Sequence, residues 1–373
     1  MSEKKPATYW DYIRVEDLLA LQDGLERDEA KLVNDEVLFI TVHQVFELWF
    51  KLILREVRAA RDLFLTERVA EQELSGAVRS LKRTGTILRV ANIHWDVIET
   101  MPTREFLAFR TKLLPASGFQ SAQLRQIEIL MGLPEGERIS LGPAGASGSG
   151  YQAALRGPGG AESPALERVR RALADVPSLR DAIDEWLWRT PIDGSEATHP
   201  QAEARLTAFL ERFLTAHASE IDLNADHAMA IADDDKSRAE LRRRYETEKD
   251  MVRAFFAPSE AEGGARRRRI RAAMLFIETY RELPLLAWPR ELLEALVELE
   301  QRFVIFRQRH ARMVERIIGR RTGTGGSSGV DYLDSTALKY RVFRDLWAIR
   351  TLQVRRAAAP ELEHASFYDF RNG

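Results

Sequence analysis

Residues 35–57 read "DEVLFITVHQVFELWFKLILREV", and their periodicity decides the fold class. Phe39, Phe46 and Phe50 stand four, three and seven positions from His43, and Ile53 extends the same line. Those offsets put side chains on one face of an α-helix, whereas a half-buried strand would alternate every second residue. The same period dominates the chain, and no run of period-two alternation interrupts it. The expectation is an all-α fold, a helical bundle with helices near 15–25, 35–65, 70–98, 103–113, 119–132, 165–176, 179–189, 201–219, 235–256, 266–281, 290–319 and 333–355. Asp35 before "EVLFI" and Ser178 before "LRDAIDEW" suit N-capping.

Composition narrows the function. The chain has 373 residues, 30% charged, with a formal net charge of −2. It can bury a large core, and nothing in the charge balance points to nucleic acid or a membrane surface as a partner. Apolar runs look short and interrupted, so no bilayer-spanning stretch is expected. The start, "MSEKKPATYWDYI", has no apolar run after its lysines and does not read as a signal peptide. A cytoplasmic location is the expectation. Cysteine is absent, which excludes disulfides, Cys-ligated zinc, iron–sulfur clusters, thiolate-ligated heme and thioether-attached heme. Any metal must rest on His, Asp, Glu or Tyr.

The large apolar and aromatic residues concentrate in 8–135 and 266–356. Residues 139–164 are rich in Gly, Ala and Ser and read as a flexible surface loop, and 165–262 as a charged, peripheral helical insertion. The expectation is one domain over 1–373, with its core built from both ends of the chain.

Seven histidines occur, and two sit on apolar helical faces. His43 is one. His310 is the other, in line with Phe303, Phe306, Met313, Val314 and Ile317. Each could be a core histidine with its nitrogens satisfied by neighbours. Arg302, Arg307, Arg309, Arg312 and Arg316 crowd the helix around His310. A neutral imidazole there could ligate heme iron while arginines pair with propionates, or the helix could simply carry a basic solvent face.

Two breaks between helices carry further candidates. "GTGGSSG", residues 323–329, lacks the lysine and the preceding strand of a phosphate-binding loop. It is either a helix-breaking linker or a loop that approaches a small ligand closely, with Thr324, Ser327 and Ser328 as polar groups. In "FRTKLLPASGFQS", residues 109–121, Arg110 precedes a turn and could clamp a carboxylate bidentately or make a routine helix-end contact.

Together with "YWDYI" at 9–13, "AIDEWLWRTP" at 182–191 and "RHARMVERIIGRRTGTGGSSGVDYLDST" at 309–336, these segments resemble the tryptophan 2,3-dioxygenase family, in order and over most of residues 8–356. The resemblance implies a noncovalent heme b whose iron is held by His310. It implies that His43 hydrogen-bonds the substrate indole N–H, that Phe39 packs on the indole, that Arg110 pairs with the carboxylate, and that Thr324 contacts the ammonium group and closes the glycine-rich loop. Tyr9 and Tyr12 match a tyrosine pair that, in the family, reaches into a neighbouring subunit's active site, implying a homo-oligomer, a tetramer. The implied reaction inserts both atoms of O2 across the indole C2–C3 bond of L-tryptophan to give N-formylkynurenine. The alternatives are oxygenation of a substituted tryptophan, for example by one oxygen to an oxindole, and a helical scaffold without heme.

The chain departs from the family pattern in places. Asn34-Asp35-Glu36 replaces a usual His-Asp-Glu, and Val330-Asp331 replaces more common residues after the loop. His94 and Trp95 in "VANIHWDVIETM" are unusual, and His94 is either a pocket variant or, by preference, a helix-packing residue.

Overall fold

Asn34–Phe64 form one helix of 31 residues. No Gly or Pro interrupts them, and Asp35 and Glu36 lie in the first turn, where the helix dipole favours negative charge. The computed structural model describes residues 8–113, 120–138, 155–156, 160–321 and 329–369, with Glu71 described by its backbone only. The expected loop 139–164 falls largely outside these residues, as do Thr324 and most of "PASGFQS".

Among the described residues every regular element is helical, with one isolated bridge between Ile192 and Ser195. The all-α expectation holds. Residues 70–98 form Glu71–Ile98, and residues 290–319 form Ala287–Ile318. Ser178 caps Leu179–Arg189 in a capping box with Asp181.

Three boundaries differ from expectation. The helix expected at 201–219 runs on as Ala202–Ala230, because nothing in residues 220–230 breaks it. The helix expected at 15–25 is Val15–Leu19, separated from Tyr9–Ile13 by Arg14 in a left-handed conformation. The helix expected at 333–355 is two, Val330–Lys339 and Arg344–Thr351. Glu300 explains the second start: its carboxylate accepts hydrogen bonds from the backbone N–H groups of Val342 and Phe343 and from Trp347 Nε1. A buried carboxylate thus takes donors that a continuous helix would have satisfied internally.

One expectation needs correction. Asn34–Phe64 contains an 18-residue window of mean hydropathy 1.6 and is long and apolar enough, by length and composition, to cross a membrane. Here its positions Phe46, Phe50 and Ile53 are buried in protein instead.

The chain clusters into two compact units. The first comprises residues 1–55, 84–176 and 301–340. In it Ala122–Met131 packs along Pro164–Ala174 around Ala122, Ile129, Leu155, Leu166, Val169 and Ala172. The second comprises residues 56–83, 177–300 and 341–373. Its interior holds Phe209, Phe213, Phe276 and Tyr280, and Ala202–Ala230 pairs with Asp235–Phe255 as a helical hairpin.

Glu300→Ala should lower unfolding stability by about 2–3 kcal/mol, since it strands buried donors at 342 and 343. Urea unfolding followed by circular dichroism checks this, and Glu300→Gln should recover part of the loss.

Candidate active site

The first unit gathers the site. Its starting point is the helix Asn34–Phe64, where His43 Nδ1 lies 2.7 Å from the Phe39 carbonyl oxygen. A carbonyl can only accept, so Nδ1 carries the proton and donates. Burial pushes the His43 pKa below its ordinary value, so the ring is neutral near neutral pH. Nε2 is then an unprotonated acceptor. It can receive a hydrogen bond from an N–H group.

An aromatic wall adjoins this acceptor. The Phe39 ring lies 4.0 Å from that of His43, centroid to centroid. Phe106 and Phe109, from the short helix Thr103–Phe109, stand 6.0 and 5.7 Å from Phe39. Arg110 follows Phe109 directly and opens the 3-10 turn Arg110–Leu113. The fold therefore brings the half-buried Arg110 and its turn beside the Phe39–His43 face.

His310 lies on the helix Ala287–Ile318. Its ring is parallel to the Trp95 indole, with centroids 5.0 Å apart and planes 3° apart. Trp95 in turn packs on Phe46 at 4.3 Å and Phe306 at 5.2 Å. Burial above all, with positive charge on His43 and Arg125 adding to it, pushes the His310 pKa down to about 3. His310 is therefore a neutral imidazole with a ring orientation set by stacking, the state needed in a metal ligand. Both rings are half-buried.

The arginines around His310 are largely occupied by protein carboxylates. Arg307 pairs with Glu128 at 3.1 Å and lies over the Phe303 ring, while Glu128 also holds Arg125 at 2.9 Å. Arg309 pairs with Asp96 at 2.6 Å and Glu99 at 3.2 Å. Arg312 reaches Asp334 at 2.6 Å.

Tyr9 and Tyr12 stand out from the surface at 73% and 83% exposure. The segment after them is tied to the His43 helix through Gln44, which exchanges hydrogen bonds with Gln22 and the Leu21 carbonyl. Three contributors escaped the sequence reading. Trp95 was legible only as an unusual residue, because stacking on His310 joins residues far apart in sequence. Glu47, one turn past His43, accepts from Ser121 Oγ at 2.6 Å and from Gln123 Nε2 at 2.7 Å. Lys112 bridges Glu26 and Glu36. His94 is half-buried against Phe46, as a packing residue would be.

Comparison with known proteins decides the family. Residues 1–353 match the model of the family described as tryptophan 2,3-dioxygenase. The chain belongs to the tryptophan 2,3-dioxygenase family. A tryptophan 2,3-dioxygenase of Sorangium cellulosum (strain So ce56) is 52% identical over 98% of this chain and 88% of its own length. Tryptophan 2,3-dioxygenase 2 of Ralstonia nicotianae (strain ATCC BAA-1114 / GMI1000) is 50% identical over 98% of both chains. A tryptophan 2,3-dioxygenase-like protein of Xanthomonas campestris pv. campestris (strain 8004) is 50% identical over 72% of this chain and 98% of its own length. Membership in this dioxygenase family agrees with an acceptor histidine on an aromatic wall and a second, neutral histidine stacked on Trp95.

Trp95→Ala should destabilise the first unit by about 3–5 kcal/mol, through the cavity left among Phe46, Phe306 and His310. Trp95→Phe should cost less than half of that, because a ring still fills most of the space. Denaturant midpoints of the two variants check the ordering.

Proposed function

We propose that the chain is a heme-dependent dioxygenase that converts L-tryptophan to N-formylkynurenine by adding both atoms of O2 across the indole C2–C3 bond. One observation carries the reading: the bond from His43 Nδ1 to the Phe39 carbonyl, which leaves Nε2 as an acceptor beside a wall of phenyl rings. An indole is a flat apolar group with a single N–H donor, and this surface matches both properties.

The residues also fit a noncovalent heme b. His310 offers a neutral nitrogen, and Trp95 holds its plane. Among the described residues the Trp95 Nε1–H is buried without a hydrogen-bond partner, a donor that a bound group could satisfy. His310 would hold the heme iron, and bound heme would supply the activation of O2 that protein side chains lack. Cysteine is absent, so a thiolate ligand of the oxygen-cleaving kind is excluded.

The chain's own residues do the rest. Phe39 and His43 would hold the indole flat and fix its N–H, so that C2 and C3 meet oxygen in one pose, and the aromatic wall would keep water out. Arg110 would take the carboxylate. For Thr324, outside the described residues, contact with the ammonium group rests on the family resemblance. Tyr9 and Tyr12, strongly exposed in the single chain, would complete a neighbouring subunit's site in a homotetramer. A cytoplasmic enzyme of tryptophan catabolism completes the reading. No observation favours the single-oxygen oxindole product.

Turnover of L-tryptophan under O2, analysed by mass spectrometry, tests the reaction. A gain of two oxygen atoms is expected, and a gain of one would overturn it. Heme-loaded protein should show a Soret band that His310→Ala loses. His43→Ala should retain that band while binding L-tryptophan roughly tenfold more weakly, the worth of one hydrogen bond of about 1–1.5 kcal/mol. Arg110→Ala should raise KM more than it lowers kcat, read by steady-state kinetics.

A further inference from the structure

Lys112 stands two residues after Arg110 on the same short turn, Arg110–Leu113. Its Nζ lies 2.8 Å from Glu36 Oε2 and 2.6 Å from Glu26 Oε1. Glu36 is buried and sits two helical turns before His43, with Phe39 between them along the same side of Asn34–Phe64. The turn carrying Arg110 is therefore attached to the His43 helix by two contacts of different kind. Phe109 packs on Phe39, a contact that fixes distance but tolerates sliding. Lys112 meets Glu36 as a charge-assisted hydrogen bond, which fixes direction. Glu26 adds a third element to the same cation, the segment whose neighbours Leu21 and Gln22 engage Gln44 beside His43.

Stability is a weak reason for this arrangement. Ion pairs that retain solvent contribute about 0–1 kcal/mol, and the Lys112 side chain is still 33% exposed. One ammonium shared by two carboxylates on different segments is better suited to setting geometry than to holding the fold. A carboxylate clamp and an indole acceptor that must grip opposite ends of one small molecule need such a fixed separation.

We propose that Lys112 is a positioning residue for substrate carboxylate recognition: by bridging Glu36 and Glu26 it holds the Arg110 turn at a set distance from His43. The proposal rests on the role given above to Arg110 and deepens it.

Calorimetric titration of L-tryptophan into the heme-loaded enzyme tests it, with Lys112→Met, Arg110→Gln and the double variant. Lys112→Met should weaken binding roughly tenfold and raise KM while kcat stays within about twofold, the signature of a misplaced binding group. In the Arg110→Gln background the same change should cost nothing further, because Lys112 acts through Arg110. Glu36→Gln should reproduce Lys112→Met, and Lys112→Arg should keep most of the affinity. Unchanged affinity in Lys112→Met, or an equal loss with and without Arg110, would overturn the proposal. Should Lys112→Met fail to fold, Glu36→Gln with wild-type affinity would overturn it as well. A wild-type enzyme that neither binds nor converts L-tryptophan overturns the functional reading instead, and does so before any substitution is made.

Discussion

Everything in the site depends on one short hydrogen bond along a helix, from His43 Nδ1 to the Phe39 carbonyl. A helix that buries its apolar stripe leaves a polar ring on that stripe with few partners, and an unpaired buried donor is costly. The carbonyl one turn back satisfies the donor and, in doing so, selects the tautomer. The opposite nitrogen is left facing outward as an acceptor. Had Nδ1 faced a donor instead, the same sequence stripe would present an N–H at this point and could not receive one.

The second histidine is handled differently. His310 is oriented by an aromatic plane, with Trp95 parallel to it and Phe46 and Phe306 behind Trp95. Both devices yield neutral imidazoles, because burial disfavours the charged form in each. Positive charge from Arg125 acts in the same direction on His310, and Glu128, Asp96, Glu99 and Asp334 pair with the arginines of its helix. The helix Ala287–Ile318 thus carries His310 among arginines, Arg307, Arg309 and Arg312, that are each paired with a carboxylate.

Helix after helix was legible from periodicity, and the failures share a cause. The break at 340–343 is made by Glu300, whose carboxylate takes the backbone donors of Val342 and Phe343. Residues 333–355 contain no glycine or proline to announce it. The membrane-length hydropathy of Asn34–Phe64 is hidden in the sequence because polar His43, Gln44 and Glu47 interrupt a run whose mean hydropathy is still 1.6. In the site, His43, Phe39 and His310 could be picked from stripes and motifs, and Arg110 from its turn. Trp95, Glu47 and Lys112 could not, because each matters through a partner distant in sequence.

By itself the sequence determined the all-α class, the absence of cysteine chemistry, the two inward histidines and the family. These follow from local spacing and residue type, which need no knowledge of neighbours. Only the tertiary structure decided which plane His310 adopts, which arginines are already paired, and how the Arg110 turn is tied to the His43 helix. Hydrogen-bond direction, ring stacking and charge pairing are set by atoms brought together across the fold, and no periodicity in the chain encodes them.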